Sequence, residues 1–228
     1  LEYIDDIKWV KQEYPSNASE AFLTTWDPVF NSQLLHELPV LEYRQDLKYA
    51  GLRWYRPLDE VGSMWVDTAE GWANGDYSAI SGRTKEGLLL FTYYWRVEPD
   101  TLAEIIDYIF DEWFLGVVAI ERNNTGLTTL SKAKHYYWST YLYKEKTYDK
   151  KTDTHTQKIW RHTNSKTRPL MLNDFEEAIR KGYITEIDER QKSEMYRFVY
   201  KNNRPEADKW FHDDAIISDA ICWHVRYK

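Results

Sequence analysis

The sequence has few of the features that mark secreted, membrane-spanning or zinc-cluster proteins. Among its 228 residues there is one cysteine, Cys222, which excludes an intramolecular disulfide and a site built of several thiolates. No apolar run approaches the roughly 20 residues that a membrane-spanning helix needs, and no signal peptide is visible. These absences favour a reducing intracellular compartment.

Two common catalytic motifs are also missing. The sequence contains no Gly-x-x-x-x-Gly-Lys-Ser/Thr loop, so no P-loop ATPase lies in this chain. It contains no Gly-x-Ser-x-Gly elbow, and Cys222 lies in an apolar stretch that is typical of a core. A serine or cysteine nucleophile is therefore disfavoured.

Positive charge is scarce as well. Lysine and arginine number 30 against 37 aspartate and glutamate residues, which gives a formal net charge of −7. Because an isolated nucleic-acid-binding domain usually carries a basic surface, such binding would depend here on a local basic strip, metal ions or a partner. Eleven tryptophans and eighteen tyrosines serve either a core or the stacking of bases or sugars.

Acidic residues stand at the ends of the apolar runs. Asp67 and Glu121 each close a short apolar run that is typical of a buried strand, and Asp213 and Asp214 open a helix-like stretch. Carboxylates that converge on a core repel one another unless a cation offsets their charge, and hard divalent cations prefer such oxygen ligands. The sequence therefore predicts a site for two Mg²⁺ or Mn²⁺ ions that hydrolyses phosphodiesters.

Each acidic residue also has a simpler explanation. Aspartates at strand ends often form turns, Glu121 can pair with Arg122, and acids in the first turn of a helix favour its dipole. Asp76 and His212 are secondary candidates for the site, and we favour a structural role for His212. Paired carboxylates with many aromatics also fit a glycoside hydrolase, which chelation of metal would usually spare.

The hydrophobic pattern predicts an α/β fold, with a mixed sheet that has helices on both faces and a protruding β-hairpin. Residues 1–60 are predicted to be a linker or tail, and residues 61–228 a domain. Strands are expected at residues 63–67, 76–81, 87–97, 117–121, 136–143 and 183–187. Helices are expected at residues 99–114 (ended by Gly116), 125–134, 167–181 (ended by Gly182), 189–200 and 213–224, and the hairpin at residues 144–157.

Basic residues cluster locally around this hairpin, where tyrosines and Trp160 lie between them. Such a strip is either a solvated surface or a groove that follows a nucleic-acid backbone. The candidate DNA-binding residues are Lys144, Lys146, Lys150, Lys151, Lys158, Arg161, Lys166 and Arg168.

Taken together, these motifs resemble the large terminase subunits of tailed bacteriophages. Residues 13–22 are similar to the junction that follows the ATPase domain of those proteins. The remaining similarity is to their nuclease domain. Residues 66–79, 120–126 and 212–214 resemble its first, second and third acidic motifs, and residues 163–169 resemble the segment after its hairpin.

This resemblance implies an RNase H-like fold, related to that of retroviral integrases. It implies an endonuclease that uses two Mg²⁺ or Mn²⁺ ions to cut concatemeric viral double-stranded DNA in the host cell cytoplasm. Asp67 would bridge the ions, Glu121 would hold one, and Asp214 or Asp213 the other, with Asp214 favoured by the family's pattern. The implied partners are the ATPase domain of the full-length protein, the portal and the small terminase subunit. The alternatives are a resolvase- or transposase-type nuclease of the same fold and a non-catalytic DNA-binding packaging module.

Overall fold

The computed structural model describes residues 28–58, 61–72, 75–121, 124–149, 154–159, 167–201, 204–208 and 211–226. None of the helices in these ranges is long and apolar enough to cross a membrane. A 3₁₀ helix spans Tyr137–Tyr141. The other elements, in chain order, are α1 (Ser32–Glu37), β1 (Arg44–Gln45), β2 (Leu52–Trp54), β3 (Val61–Asp67), β4 (Ser78–Thr84), β5 (Leu89–Trp95), α2 (Pro99–Asp111), β6 (Leu115–Ile120), α3 (Asn124–Ala133), β7 (Lys144–Asp149), β8 (Thr154–Ile159), α4 (Thr167–Arg180), α5 (Glu189–Met195), β9 (Phe198–Lys201), β10 (Arg204–Ala207) and α6 (Asp214–Val225).

A mixed sheet of six strands, in the order β1-β2-β5-β4-β3-β6, forms the centre of the fold. Strand β4 pairs antiparallel with both β3 and β5, and β6 returns beside β3 in the parallel direction. Val66 lies opposite Ile120, and the backbone N–H of Glu121 donates to the carbonyl of Val66 at 2.9 Å. The parallel pairing therefore brings Asp67 and Glu121 to the same edge of the sheet.

Helices cover both faces of the sheet, as the sequence predicts. Along β3, Met64 and Val66 pack into the core that contains α2, whereas Trp65 packs into the core that contains α4 and α6. This alternation follows from the two-residue period of a strand. Helix α6 is buried on almost all sides, so its apolar sequence reflects a central position in the domain.

A buried ion pair joins α6 to the sheet. Arg83 of β4 donates through Nε and Nη2 to the two carboxylate oxygens of Asp219, each at 2.6 Å, and both side chains are fully buried. Such a bidentate pair fixes the position of one element on another. It therefore also fixes where the first turn of α6, with Asp214, lies against the sheet.

The end of α2 differs from the prediction. The helix stops at Asp111, and Trp113, 80% exposed, takes the left-handed conformation that glycine usually supplies. Gly116 lies instead inside β6, where an added Cβ would come within 2.1 Å of the Gly62 carbonyl oxygen. Its role is the close approach of β6 to β3.

Three other predicted elements are wrong in whole or in part. Residues 136–143 contain the 3₁₀ helix, whose Trp138 is buried beside Phe110. Residues 183–187 form no strand apart from an isolated bridge between Ile187 and Val40. The helix predicted over residues 189–200 ends at Met195, after which β9 begins.

The described residues before position 61 pack with those after it. Strands β1 and β2 extend the main sheet, and Phe30 and Leu35 join the core beneath α4 and α6. The remainder of the predicted linker, residues 1–27, lies outside the described residues, and the division at residue 61 stays a prediction. Strands β7 and β8 form the predicted hairpin as a separate two-stranded sheet, and its tip, residues 150–153, lies outside the described residues.

Candidate metal centre

Three of the predicted acidic residues line one cavity of about 660 Å³. Asp67 is the last residue of β3, Glu121 follows β6, and Asp214 is the first residue of α6. Asp76 lies on the rim of the same cavity and is exposed. The edge of the sheet and the start of α6 thus bring together side chains from distant parts of the sequence.

The carboxyl groups of Asp67 and Glu121 lie in hydrogen-bond contact. Burial, followed by the neighbouring Glu121 carboxyl, raises the pKa of Asp67 well above its usual value, and Asp214 adds to the effect. Two carboxylates in contact repel each other, so a positive charge between them would be favourable.

The position of Asp214 is also unfavourable for a negative charge. Burial, followed by the charges of Asp213 and Asp76, raises the pKa of Asp214 to about 7, although the backbone N–H of Tyr77 donates to its carboxylate. Its Oδ2 atom is buried and has no hydrogen-bond partner among the described residues. Nδ1 of His212 lies 3.7 Å from Oδ2 of Asp214.

Asp213 is engaged elsewhere. Its carboxylate accepts a hydrogen bond from the guanidinium of Arg168, and its side chain is absent from the lining of the cavity. Its backbone forms the N-cap of α6. Of the two candidate aspartates, the structure places Asp214 in the cavity and Asp213 against Arg168.

The donor atoms of the cavity fit a hard divalent cation. Its polar lining consists mainly of carboxylates and hydroxyls, and Asp214 Oδ2 has no hydrogen-bond partner in the described ranges. Such oxygen ligands suit Mg²⁺ or Mn²⁺. Among the residues that the structure describes, however, no three Asp, Glu, His or Cys side chains lie close enough to form a complete metal site. Mutual repulsion of the carboxylates, which the raised pKa values of Asp67 and Asp214 reflect, is expected to hold them apart, and a bound cation would draw them together.

His212 is a peripheral residue of this site. Its side chain is 46% exposed, and its ring meets the ring of Tyr77 edge-on at a centroid distance of 5.3 Å. The structural role favoured from the sequence stays a prediction.

Sequence reasoning missed several residues that shape the site. Glu194 of α5 accepts a hydrogen bond from the backbone N–H of Ile216 at 2.8 Å, and burial together with Asp214 raises the pKa of Glu194 well above its usual value. The hydroxyls of Thr68 and Thr125 are 2.8 Å apart at the cavity wall. Nothing in the local sequence marks Glu194, because only the packing of α5 on α6 brings it near the site.

The basic strip is described only in part. Lys144 is exposed at the start of β7, Lys146 lies on β7 and Lys158 on β8. Arg168 bonds Asp213 and so borders the acidic site. The other four candidates, Lys150, Lys151, Arg161 and Lys166, lie outside the described residues.

No family model matches the sequence, and no curated protein matches it. Solved structures do match. The large terminase nuclease from thermophilic phage G20c superposes with a TM-score of 0.65 at 14% identity, over 88% of this chain and 99% of that one. The same nuclease with bound magnesium gives a TM-score of 0.64 at 14% identity, over 89% and 99%.

A viral protein of a eukaryotic host has the same architecture. The human cytomegalovirus terminase nuclease domain superposes with a TM-score of 0.54 at 14% identity, over 86% of this chain and 94% of that one. These identities are low, so the likeness concerns the fold. The predicted fold class is confirmed: the chain has the RNase H-like fold of the nuclease domains of large terminases.

Proposed function

We propose that this domain is a metal-dependent endonuclease that cuts concatemeric viral double-stranded DNA during genome packaging in the host cell cytoplasm. The observation that carries the proposal is the convergence of Asp67, Glu121 and Asp214 in one cavity. Two findings on similar structures support it. The phage G20c nuclease has been obtained with bound magnesium, cobalt and zinc, and the cytomegalovirus domain after soaking in manganese.

The residues of the cavity would have different roles in catalysis, according to their positions. Bound Mg²⁺ or Mn²⁺, as a pair of ions, would activate the attacking water and stabilise the leaving 3′ oxygen. Asp67 interacts with both Glu121 and Asp214, and these three carboxylates would hold the ions. Tyr77 orients Asp214 through its backbone N–H, and Arg168 holds Asp213.

The proposed partners follow from the resemblance in sequence. Double-stranded DNA would be the substrate, and the basic strip around the hairpin would contact or gate it. The chain before residue 28 would connect the domain to an ATPase domain of the full-length protein, and the assembled motor would include the portal and the small terminase subunit. If these partners also bound the DNA, the domain itself would need little positive charge, which would explain its net charge of −7.

Digestion of a plasmid in Mn²⁺, Mg²⁺ or EDTA tests the activity. We expect the wild type to nick or linearise the plasmid with either metal and to be inactive in EDTA, and Asp67→Asn to be inactive throughout. Asp111→Asn is the matched control, because Asp111 is exposed at the end of α2, outside the cavity. Cleavage in EDTA, or DNA binding without cleavage in any metal, would contradict the proposal, and the second result would favour a non-catalytic module.

A further inference from the structure

A second cavity, of about 350 Å³, lies beside the metal centre and has a different chemistry. Arg190 and Arg197, which belong to α5 and the turn after it, line this cavity together with Tyr94, Phe211 and His212. It therefore combines two cationic side chains with aromatic rings.

The two guanidinium groups are held by rings rather than by carboxylates. Arg190 lies 5.1 Å from the ring centroid of Tyr94, and Arg197 lies 4.0 Å from that of Phe211. Among the residues that the structure describes, neither arginine forms a salt bridge, and Nη1 of Arg190 is buried without a hydrogen-bond partner. A buried charged donor without a partner is unfavourable, and an anion in the cavity would satisfy it.

The acidic residue of this cavity is already engaged. Glu194 also lines it, but its carboxylate accepts the backbone N–H of Ile216 in the first turn of α6. The guanidinium groups therefore have no carboxylate partner in the described part of the chain.

The second cavity borders the metal centre. Tyr94 stacks on Tyr77 with the ring centroids 4.4 Å apart, and Tyr77 lines the first cavity. His212 lines the second cavity, while its Nδ1 is 3.7 Å from Oδ2 of Asp214. A DNA strand whose scissile phosphate lay at the carboxylates would thus have a neighbouring phosphate within reach of the arginines.

Helix α5 is anchored in a way that fixes the arginines. Its N-cap, Asp188, accepts hydrogen bonds from the backbone N–H groups of Arg190 and Gln191, and also from the guanidinium of Arg53 on β2 at 2.8 Å. The side chain of Gln191 donates to Ser81 of β4. The helix is therefore tied to the same sheet that carries Asp67.

We propose that this second cavity binds a backbone phosphate of the strand that is cut, next to the scissile phosphate, through Arg190 and Arg197. The inference rests on the proposed nuclease function and assigns a DNA subsite apart from the basic strip around the hairpin. Guanidinium groups suit this task because they bind phosphate with two parallel hydrogen bonds. The two arginines position the substrate and leave the chemistry to the carboxylates.

The test compares Arg190→Gln/Arg197→Gln with Arg44→Gln/Arg180→Gln, which removes the same charge from exposed positions on β1 and α4. Binding to a duplex is measured in EDTA over a range of salt concentrations. Cleavage of the same duplex is then measured in Mn²⁺. We expect the cavity variant to bind more weakly and its slope of log affinity against log salt to fall by about one per lost phosphate contact. The KM for cleavage should rise about tenfold or more with kcat nearly unchanged, since a positioning contact acts on binding.

The conservative variant Arg190→Lys/Arg197→Lys keeps the charge and should recover most of the affinity. Thermal unfolding checks that each variant is folded, and the single variants Arg190→Gln and Arg197→Gln replace the double variant if it is not. Equal slopes and KM values in the cavity and control variants, with active wild type, would overturn the subsite and leave the nuclease function standing. Loss of salt-dependent binding in the cavity variant, with wild type that never cleaves, would support the subsite and overturn the nuclease function.

Discussion

Burial and neighbouring carboxyl groups raise the pKa values of Asp67 and Asp214 and so oppose a negative charge on either side chain. The folded protein therefore holds protons on these groups that the unfolded chain, with an aspartate pKa of about 3.9, has released. Because the folded state binds more protons between about pH 4 and pH 7, stability falls as the pH rises through that window.

The first prediction concerns this pH dependence. In EDTA, the free energy of unfolding of Asp214→Asn should exceed that of the wild type increasingly from pH 4 to pH 7, by at most about 4 kcal/mol for a shift from about 3.9 to about 7. Urea unfolding at half-unit steps of pH measures the difference, with Asp111→Asn as control. A difference that stays constant with pH would contradict the assignment.

The second prediction separates the two adjacent aspartates. Asp214→Asn should lower kcat/KM in Mn²⁺ more than about 10²-fold, because it removes a cavity carboxylate. Asp213→Asn should cost only about tenfold, in the range expected for an outer partner of a metal ligand, since its carboxylate already bonds Arg168. Steady-state cleavage of a short duplex gives both values. Comparable losses would mean that Asp213 also binds metal.

At the scale of elements, the sequence predicts long periodic segments and misses short ones. Helix α2 is recognisable because Leu102, Ile105, Ile106 and Ile109 face the core at three- and four-residue spacing. Strands β1, β2, β9 and β10 are too short to show a period of their own. The aromatic run at residues 136–143 is typical of a strand, but burial of Trp138 in the core favours a tight 3₁₀ turn.

The third prediction tests the ion pair that holds α6. Asp219→Ala should lower the free energy of unfolding by about 3–5 kcal/mol, because it leaves the fully buried charge of Arg83 without a partner. Glu177→Ala, which breaks an exposed pair with Lys181, should cost much less, because solvent screens such a pair. Urea unfolding of both variants gives the comparison. Equal costs would show that the buried pair does not hold the helix.

The fourth prediction concerns the hairpin of β7 and β8. Lys150→Gln/Lys151→Gln should lower the salt slope of DNA binding by about two without changing thermal stability, because the hairpin forms a sheet apart from the main one. Arg180→Gln/Lys181→Gln, at the end of α4 and just after it, is the control of equal charge. Salt titrations by fluorescence anisotropy provide the slopes. If the hairpin and control variants have the same slope, the strip is only a solvated surface.

At the scale of the whole molecule, the pairing of the strands predicts the position of the site better than any sequence motif does. Strand-end acids on neighbouring parallel strands had to meet at one edge, so Asp67 and Glu121 could be predicted as a pair. The places of Glu194, Arg190 and Arg197 could not, because they depend on how α5 packs between the sheet and α6. Long-range packing of this kind leaves no periodic signal in the local sequence.

The fifth prediction concerns metal and global stability. Mn²⁺ at about 100 times its dissociation constant should stabilise the wild type by about 2.7 kcal/mol, which corresponds to a rise in Tm of about 5–10 °C for a domain of this size. Asp67→Asn should show little rise. Thermal unfolding at pH 7.5 with and without Mn²⁺ measures both. An equal rise in the variant would place the metal elsewhere.

The burial of α6 has a consequence for the time at which the proposed nuclease becomes able to act. Asp214 and Asp219 belong to the same helix. The folding step that pairs Asp219 with Arg83 in the core therefore also brings the carboxylate of Asp214 into the cavity. During synthesis on the ribosome, the earlier strands emerge long before this helix does. We therefore expect that a nascent or proteolysed chain without α6 does not cleave the host chromosome, and that DNA cleavage begins only after the domain has folded completely.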